Sequence, residues 1–155
     1  MESVPGSLPQ VALTRRRAVL VMAFLAAAIA LLGYLRDPPW LLSTTSGLRS
    51  WETDADGTRV RWMGGHASLF VPASAHAVEL PVRTTFDASG DWPVTVTVAI
   101  DDRMSDRIVL SDGAWHSMQL QLPPAGRRKV RRLDIRLDRT RDDNHGAAIG
   151  ELRIR

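Results

Sequence analysis

The feature that most constrains this chain is an uncharged apolar stretch that runs from Ala18 to Leu35. As a helix rising 1.5 Å per residue, it would span about 27 Å, close to the roughly 30 Å hydrocarbon core of a bilayer. A surface helix of a globular protein carries one polar face, whereas no charge interrupts any face here. The stretch therefore predicts a membrane-spanning helix over residues 18–35.

The charges that flank this stretch predict its direction. Three arginines, Arg15 to Arg17, precede it, whereas Arg36 follows it beside Asp37. Because basic residues concentrate on the cytoplasmic side of a membrane helix, we expect a cytoplasmic amino terminus and an extracytoplasmic remainder. Residues 1–17 are rich in proline, glycine and serine at their start, which predicts a disordered cytoplasmic tail.

A cleavable signal peptide is the alternative to a retained anchor. Ala28, Ile29 and Ala30 have the small-x-small form of a cleavage site, and a basic region precedes the apolar run. However, the apolar run continues beyond that site to Leu35, whereas a secretory signal becomes more polar there. We therefore favour an uncleaved anchor.

The composition of the chain bounds its chemistry. A length of 155 residues allows one globular domain beside the helix. The absence of cysteine excludes disulfides, thiolate metal sites, a cysteine nucleophile and a lipidated amino-terminal cysteine. From Arg36 onward the chain carries 17 basic and 16 acidic residues. The expected extracytoplasmic location keeps this part of the chain away from DNA and RNA, which argues against nucleic acid as a partner.

Beyond a predicted linker over residues 36–50, the pattern changes to one of strands. Apolar and polar residues alternate over 94–100, 117–122, 132–138 and 149–155, and glycine- and aspartate-rich turns separate such segments. About eight short strands without an amphipathic helix predict an antiparallel β-sandwich of jelly-roll type over residues 51–155. A closed barrel is the alternative.

Four tryptophans in this domain are candidates for a ligand platform, because an indole can stack on the apolar face of a sugar. Trp92 and Trp115 are the best placed, since each lies beside a turn. The competing interpretation is that these indoles fill the core and its edges.

The basic stretch around residues 127–132 is the sharpest charge feature. Arg127, Arg128 and Arg132 are candidate ligands for anionic headgroups, sugar phosphates or acidic glycans. The competing interpretation is a solvated strand face, because Asp134 and Asp138 interleave with the arginines.

Metal and catalytic signals are weak. Asp54 and Asp56 resemble part of a calcium loop, but the twelfth position counted from Asp54 is Gly65 rather than glutamate. Structural calcium could bind at this loop or at residues 142–144; the alternative interpretation is that both are solvated turns. No other cofactor is expected. The four histidines are scattered and no nucleophile-elbow pattern occurs, so we expect no catalytic residues.

A series of landmarks along the chain resembles a known domain. They include Gly57-x-Arg59-x-Arg61-Trp62, Leu110-x-Asp112-Gly113-x-Trp115 and Ile149-Gly150-Glu-Leu-Arg-Ile154, in this order. Together they resemble the extracytoplasmic β-sandwich that follows the membrane region of bacterial glycosyltransferases of the dolichyl-phosphate-mannose mannosyltransferase type. The chain lacks the many membrane helices and the acidic catalytic loop of those enzymes, so the resemblance implies an accessory domain without their catalytic role.

These observations lead to one functional expectation and two alternatives. We expect a single-pass protein of the bacterial inner membrane whose periplasmic or extracellular domain is a non-catalytic binding or scaffolding module of the cell envelope. Its partner would be a saccharide or a polytopic membrane glycosyltransferase. The alternatives are a small glycan hydrolase with paired carboxylates and a purely structural anchor subunit.

Overall fold

The apolar stretch forms one long helix. The computed structural model describes residues 8–84, 93–124, 126–140 and 145–155, and helix α1 (Leu8–Arg36) is its first element. The helix begins at Leu8, so residues 8–17 are helical where disorder was expected. Pro9 stands in the first turn, where a helix tolerates proline because the missing N–H would have no helical partner.

The side chains of this helix that the structure describes are mostly exposed. Phe24 is 76% exposed and Leu32 is 67% exposed. Within the described residues, one helical stretch, Arg15–Ser43, is long and apolar enough to cross a membrane. It includes a short 3₁₀ helix (Pro39–Ser43) that follows α1.

A second unit spans Trp40–Arg155, and its described residues form ten strands. They are β1 (Thr45–Leu48), β2 (Glu52–Thr53), β3 (Arg59–Pro72), β4 (Ala77–Thr84), β5 (Val94–Ile100), β6 (Arg103–Leu110), β7 (His116–Gln121), β8 (Val130–Leu137), β9 (Ala147–Ile149) and β10 (Arg153–Ile154). All of their pairings are antiparallel.

Strand β3 belongs to two layers. Its first half, through Met63, pairs with β9, and β9 continues through β4 to β7. Its second half, from His66, pairs with β8, and β8 continues through β5 to β6. One hydrogen-bonded path therefore runs β10-β4-β9-β3-β8-β5-β6. Because this path has two ends in the described residues, the fold is an antiparallel β-sandwich of jelly-roll type rather than a closed barrel.

The change of partner along β3 occurs at Gly64 and Gly65. A pair of glycines is typical of a turn between two strands, but these residues lie inside one continuous strand. At Gly65, an added Cβ would lie 2.9 Å from the Thr140 side chain. Two consecutive residues without side chains therefore let the strand bend and cross from one layer to the other.

The core lies between the two layers and follows the predicted alternation. In β4 and β5, every second side chain is buried. Leu80 from one layer and Val98 and Leu133 from the other are fully buried members of one hydrophobic cluster. Burial of each such side chain contributes about 1.5–3 kcal/mol, so this cluster is the main source of stability.

The structure also corrects the predicted linker. Residues 45–48 form β1, which pairs with β3 at Thr45 opposite Leu69 and Leu48 opposite Met63. Between them Gly47 adopts φ +70° at an irregularity in the register. Serine, threonine and glycine suggested a flexible connection, but backbone pairing of a strand does not require apolar side chains.

Candidate functional site

Trp115 lines a groove at one end of the sandwich. It directly precedes β7 and is half-buried. The groove has a volume of about 480 Å³. We call it the Trp115 groove; its lining residues are Thr58, Arg59, Pro81, Trp115, Gly150, Glu151, Leu152 and Arg153. Its size is in the range of small-molecule sites.

The indole of Trp115 is held by an arginine from the next strand. The guanidinium carbon of Arg83, on β4, lies 4.9 Å from the centroid of the Trp115 ring. The same guanidinium forms an ion pair with Asp54, and both side chains are largely buried, at 21% and 17% exposure. A cation over an indole is attracted to the ring face, and this attraction strengthens away from water. The ring is therefore fixed before any ligand arrives.

Asp56 lies in the same turn as Asp54. Its Oδ1 accepts a hydrogen bond of 2.9 Å from the Thr58 backbone N–H. This bond is the largest cause that lowers the pKa of Asp56, and a hydrogen bond with the Thr58 side chain lowers it further. The turn that contains Asp54 and Asp56 thus acts on the indole through Arg83, which pairs with Asp54 and lies over the ring.

The two carboxylates of this turn, which the sequence offered as weak calcium ligands, meet protein donors. The Oδ1 atom of Asp54 accepts a hydrogen bond of 2.8 Å from the Ala55 N–H, and its Oδ2 faces the Arg83 guanidinium, which competes with a cation. Across the residues that the structure describes, no group of three or more histidines and carboxylates is placed to hold a metal ion. The second candidate loop, residues 142–144, lies outside the described residues.

The groove combines an apolar floor with charged walls. Pro81, Gly150 and Leu152 line it beside the indole. A Cβ added at Gly150 would lie 3.0 Å from the Pro81 Cβ and 3.7 Å from the Trp115 ring, so glycine keeps the floor open. On the walls, Arg59 Nη1 lies 2.9 Å from Glu151 Oε1 in an exposed ion pair.

A second charged group lies near the groove on β4 and β10. Arg153 Nη1 is 3.5 Å from Glu79 Oε1, and the Ser117 hydroxyl donates to that same oxygen over 2.8 Å. The Ser117 hydrogen bond is the main cause that lowers the pKa of Glu79, so this carboxylate is ionised at neutral pH. The groove thus has both donors and acceptors around an aromatic surface.

The predicted arginines do not form one site. Arg132 forms ion pairs with two neighbouring carboxylates: its Nε lies 2.7 Å from Asp134 Oδ2, and its Nη2 pairs with Asp102. Arg127 is exposed. Arg128 lines a separate pocket at the other end of the sandwich. For Arg132, the interpretation as a partly self-neutralised face is the one that the geometry favours.

Ser68, His66 and Asp134 meet on the outer face of β3 and β8, which sequence patterns did not indicate. Ser68 Oγ donates to Asp134 Oδ1 over 2.5 Å, and His66 Nε2 lies 3.4 Å from the same oxygen. In a catalytic triad the histidine lies between the serine and the acid. Here the serine proton goes to the carboxylate directly, so the cluster does not form a nucleophilic relay.

The remaining predicted platform, Trp92, lies outside the described residues. Trp51 is 42% exposed. The guanidinium carbon of Arg59 lies 4.9 Å from the centroid of the Trp51 ring, so Trp51 lies beside the groove wall. Sequence reasoning did not identify Arg83 and Glu151, because both occupy polar positions of alternating segments, which are typical of the solvent-facing side of a strand. A carboxylate turn at residues 54–56 and a Gly-Glu pair after β9 were the available signals.

Comparisons with known proteins found similarity among solved structures. No family model matches the chain, and no curated protein matches it. Similar solved structures include a family two carbohydrate esterase from Clostridium thermocellum in complex with cellohexaose, at 7% identity and TM-score 0.48, covering 72% of this chain and 31% of that one. They also include the EclA C-terminal domain, a sugar-binding protein, at 13% identity and TM-score 0.46, covering 68% and 90%.

A third similar structure is the carbohydrate binding module CBM6cm-2 from Cellvibrio mixtus lichenase 5A in complex with cellotriose. The identity is 16%, the TM-score is 0.42, and the match covers 74% of this chain and 90% of that one. This chain spans less than a third of the esterase's length. The jelly-roll assignment itself rests on the strand pairing and shared core of this chain.

Proposed function

We propose that this protein is a membrane-anchored, non-catalytic module that binds a neutral saccharide in the Trp115 groove. The observation that carries the proposal is the fixed indole of Trp115 beside an apolar floor and a rim of ionised groups. A pyranose ring has an apolar C–H face and a rim of hydroxyl groups. The indole and Leu152 suit that face, and the Arg59 and Glu151 side chains suit the hydroxyls.

The ionisation of the carboxylates favours binding over hydrolysis. A glycosidase that uses two carboxyl groups needs one whose pKa is raised, so that it can donate a proton. Hydrogen bonds lower the pKa of Asp56, in the turn that pairs with Arg83, and of Glu79, which lies beside Arg153 of the groove lining. Both are therefore acceptors at neutral pH and suit the recognition of hydroxyl groups.

Anchoring by α1 supports a role at a membrane surface. With the three arginines before the apolar run on the cytoplasmic side, the sandwich would lie in the periplasm or outside the cell. Attachment to the bilayer would raise the effective concentration of the module for a membrane-bound glycan. A polytopic glycosyltransferase remains the alternative partner, on the resemblance of the chain to a domain of such enzymes.

The proposal is tested on the full chain in lauryldimethylamine oxide, a detergent without a sugar headgroup. Calorimetric titrations use cellohexaose, xylohexaose, mannohexaose and chitohexaose. We expect saturable binding of at least one of them, and at least a tenfold loss of affinity in Trp115→Ala. His116→Ala is the matched control, because it changes the neighbouring residue outside the groove lining. The absence of binding to any of the four, or equal losses in both variants, would contradict the proposal.

A further inference from the structure

A second pocket lies at the opposite end of the sandwich from the Trp115 groove. Strand β3 begins at Arg59, which lines the Trp115 groove, and Ala73 just beyond its end lines the second pocket. The second pocket has a volume of about 330 Å³. We call it the arginine pocket; its lining residues are Ala73, Ile100, Asp101, Arg103, Pro123, Pro124, Gly126, Arg128, Val130 and Arg131.

Arg131 is the fixed element of this pocket. Its side chain is 7% exposed, and its Nη2 donates to the carbonyl oxygens of Pro123, over 2.7 Å, and Pro124, over 2.5 Å. Its Nη1 donates to Asp101 Oδ2 over 3.2 Å. The Nε–H is buried and has no acceptor among the described residues. A buried donor without an acceptor is costly, so this lining residue retains one unsatisfied donor.

The charges of the lining favour an anion. Arg103, Arg128 and Arg131 contribute three positive charges, and Asp101 contributes one negative charge. Around them, Ile100, Val130 and the two prolines contribute apolar lining. Guanidinium groups recognise carboxylate and phosphate through paired N–H donors, with stronger hydrogen bonds than neutral donors give.

The hairpin turn between β5 and β6 makes the pocket rigid. Ile100 pairs with Arg103, so Asp101 and Asp102 are the two turn residues, and both have positive φ, 49° and 67°. That backbone is typical of the tight hairpin turn whose twist matches the flanking strands. Asp101 Oδ1 also accepts the Arg132 backbone N–H over 3.0 Å, which ties the turn to β8. A lining that is fixed in advance loses little entropy when a ligand binds.

We propose that the arginine pocket binds an oxyanion, the carboxylate or phosphate group of a small ligand. Trp115 does not line this pocket, so the proposal is independent of saccharide binding in the Trp115 groove. The probes for this site are D-glucuronate, which carries a carboxylate, and glucose 1-phosphate, which carries a phosphate. D-glucose is the neutral control.

The test is calorimetric titration of the full chain in lauryldimethylamine oxide at low salt with these three compounds. We expect saturable binding of glucuronate, glucose 1-phosphate or both, weakening with added salt, and none of glucose. The anion that binds identifies the source of the oxyanion. Arg103→Gln should lower the affinity at least tenfold, whereas Arg127→Gln, the same charge change outside the pocket, should alter it less than twofold.

Two outcomes would overturn the proposal. One is that neither anion binds better than glucose, and the other is that both arginine variants lose affinity equally, which would indicate diffuse surface charge. Trp115→Ala should retain anion binding, so failure of this site and failure of the Trp115 groove can be told apart. Circular dichroism of each variant verifies that the fold is intact.

Discussion

The guanidinium of Arg83 lies over the ring of Trp115, 4.9 Å from its centroid, and forms an ion pair with Asp54. This arrangement connects the turn after β2, strand β4 and the start of β7 at a single point. The platform of the proposed saccharide site is therefore also a structural junction.

Replacing Arg83 should destabilise the domain. In Arg83→Met, the cation over the indole is lost and Asp54 keeps a largely buried charge without its partner. We expect the free energy of unfolding to fall by about 2 kcal/mol, measured by urea denaturation. Arg59→Met is the control, because its ion pair with Glu151 is 59% exposed on each side and should contribute less than about 1 kcal/mol. Equal losses of unfolding free energy in the two variants would contradict the structural role of Arg83.

The acid sensitivity of the fold should depend on Asp134. Burial acts to raise its pKa, but hydrogen bonds from Ser68 and Arg132 outweigh burial, and the pKa is lowered in the folded state. A lowered pKa gives stability that is present above the unfolded value of about 3.9 and is lost as the pH falls through the folded value. In Asp134→Asn, the unfolding free energy should thus fall less steeply between pH 5 and pH 2. Parallel pH profiles of the two proteins would show that Asp134 does not contribute.

Gly47 should not tolerate a side chain. Its φ is +70°, and an added Cβ would lie 2.1 Å from the His66 carbonyl oxygen. Gly47→Ala should therefore displace β1 from β3 and lower the unfolding free energy by about 2 kcal/mol. At Gly113 the nearest atom to an added Cβ is 4.0 Å away, so Gly113→Ala should have a small effect. Similar denaturation midpoints for the two variants would contradict this account of β1.

Membrane attachment should depend on the centre of α1. Arginine at the centre of a membrane helix costs about 2.5–3.5 kcal/mol, so Leu25→Arg with Ile29→Arg should release the protein from membranes in alkaline carbonate. Leu25→Ala with Ile29→Ala keeps the stretch apolar and should remain in the pellet. Retention of the double arginine variant would argue against a spanning helix.

Local patterns predicted the layers of this fold better than its connections. Val96, Val98 and Leu133 are buried where period two placed them, because a half-buried strand requires that alternation. The crossing of β3 at Gly64 was not predictable, since two glycines permit a turn and a bend equally well. Strand β1 was missed for a related reason: its partner, β3, is a distant part of the chain, and only the pairing makes it a strand.

In the candidate site, too, local patterns identified single elements but not the contacts that join them. Trp115 and the turn at Asp54 were identified separately as a platform and as a weak metal loop. Arg83 brings them together, and its role depends on the registry of β4 against β7, which no local pattern encodes. The arginine stretch shows the converse: neighbours in sequence, Arg131 and Arg132, point to different surroundings because successive residues of a strand face opposite sides.

The measurement that tests saccharide binding most directly is the response of the five tryptophan indole N–H signals in a two-dimensional NMR spectrum of the full chain. The signal of Trp115 is assigned by its loss in Trp115→Phe, and the oligosaccharide that binds in the calorimetric panel is then titrated. The proposed site predicts a saturable shift that is largest for Trp115. Saturable binding that leaves the Trp115 signal unmoved would contradict it.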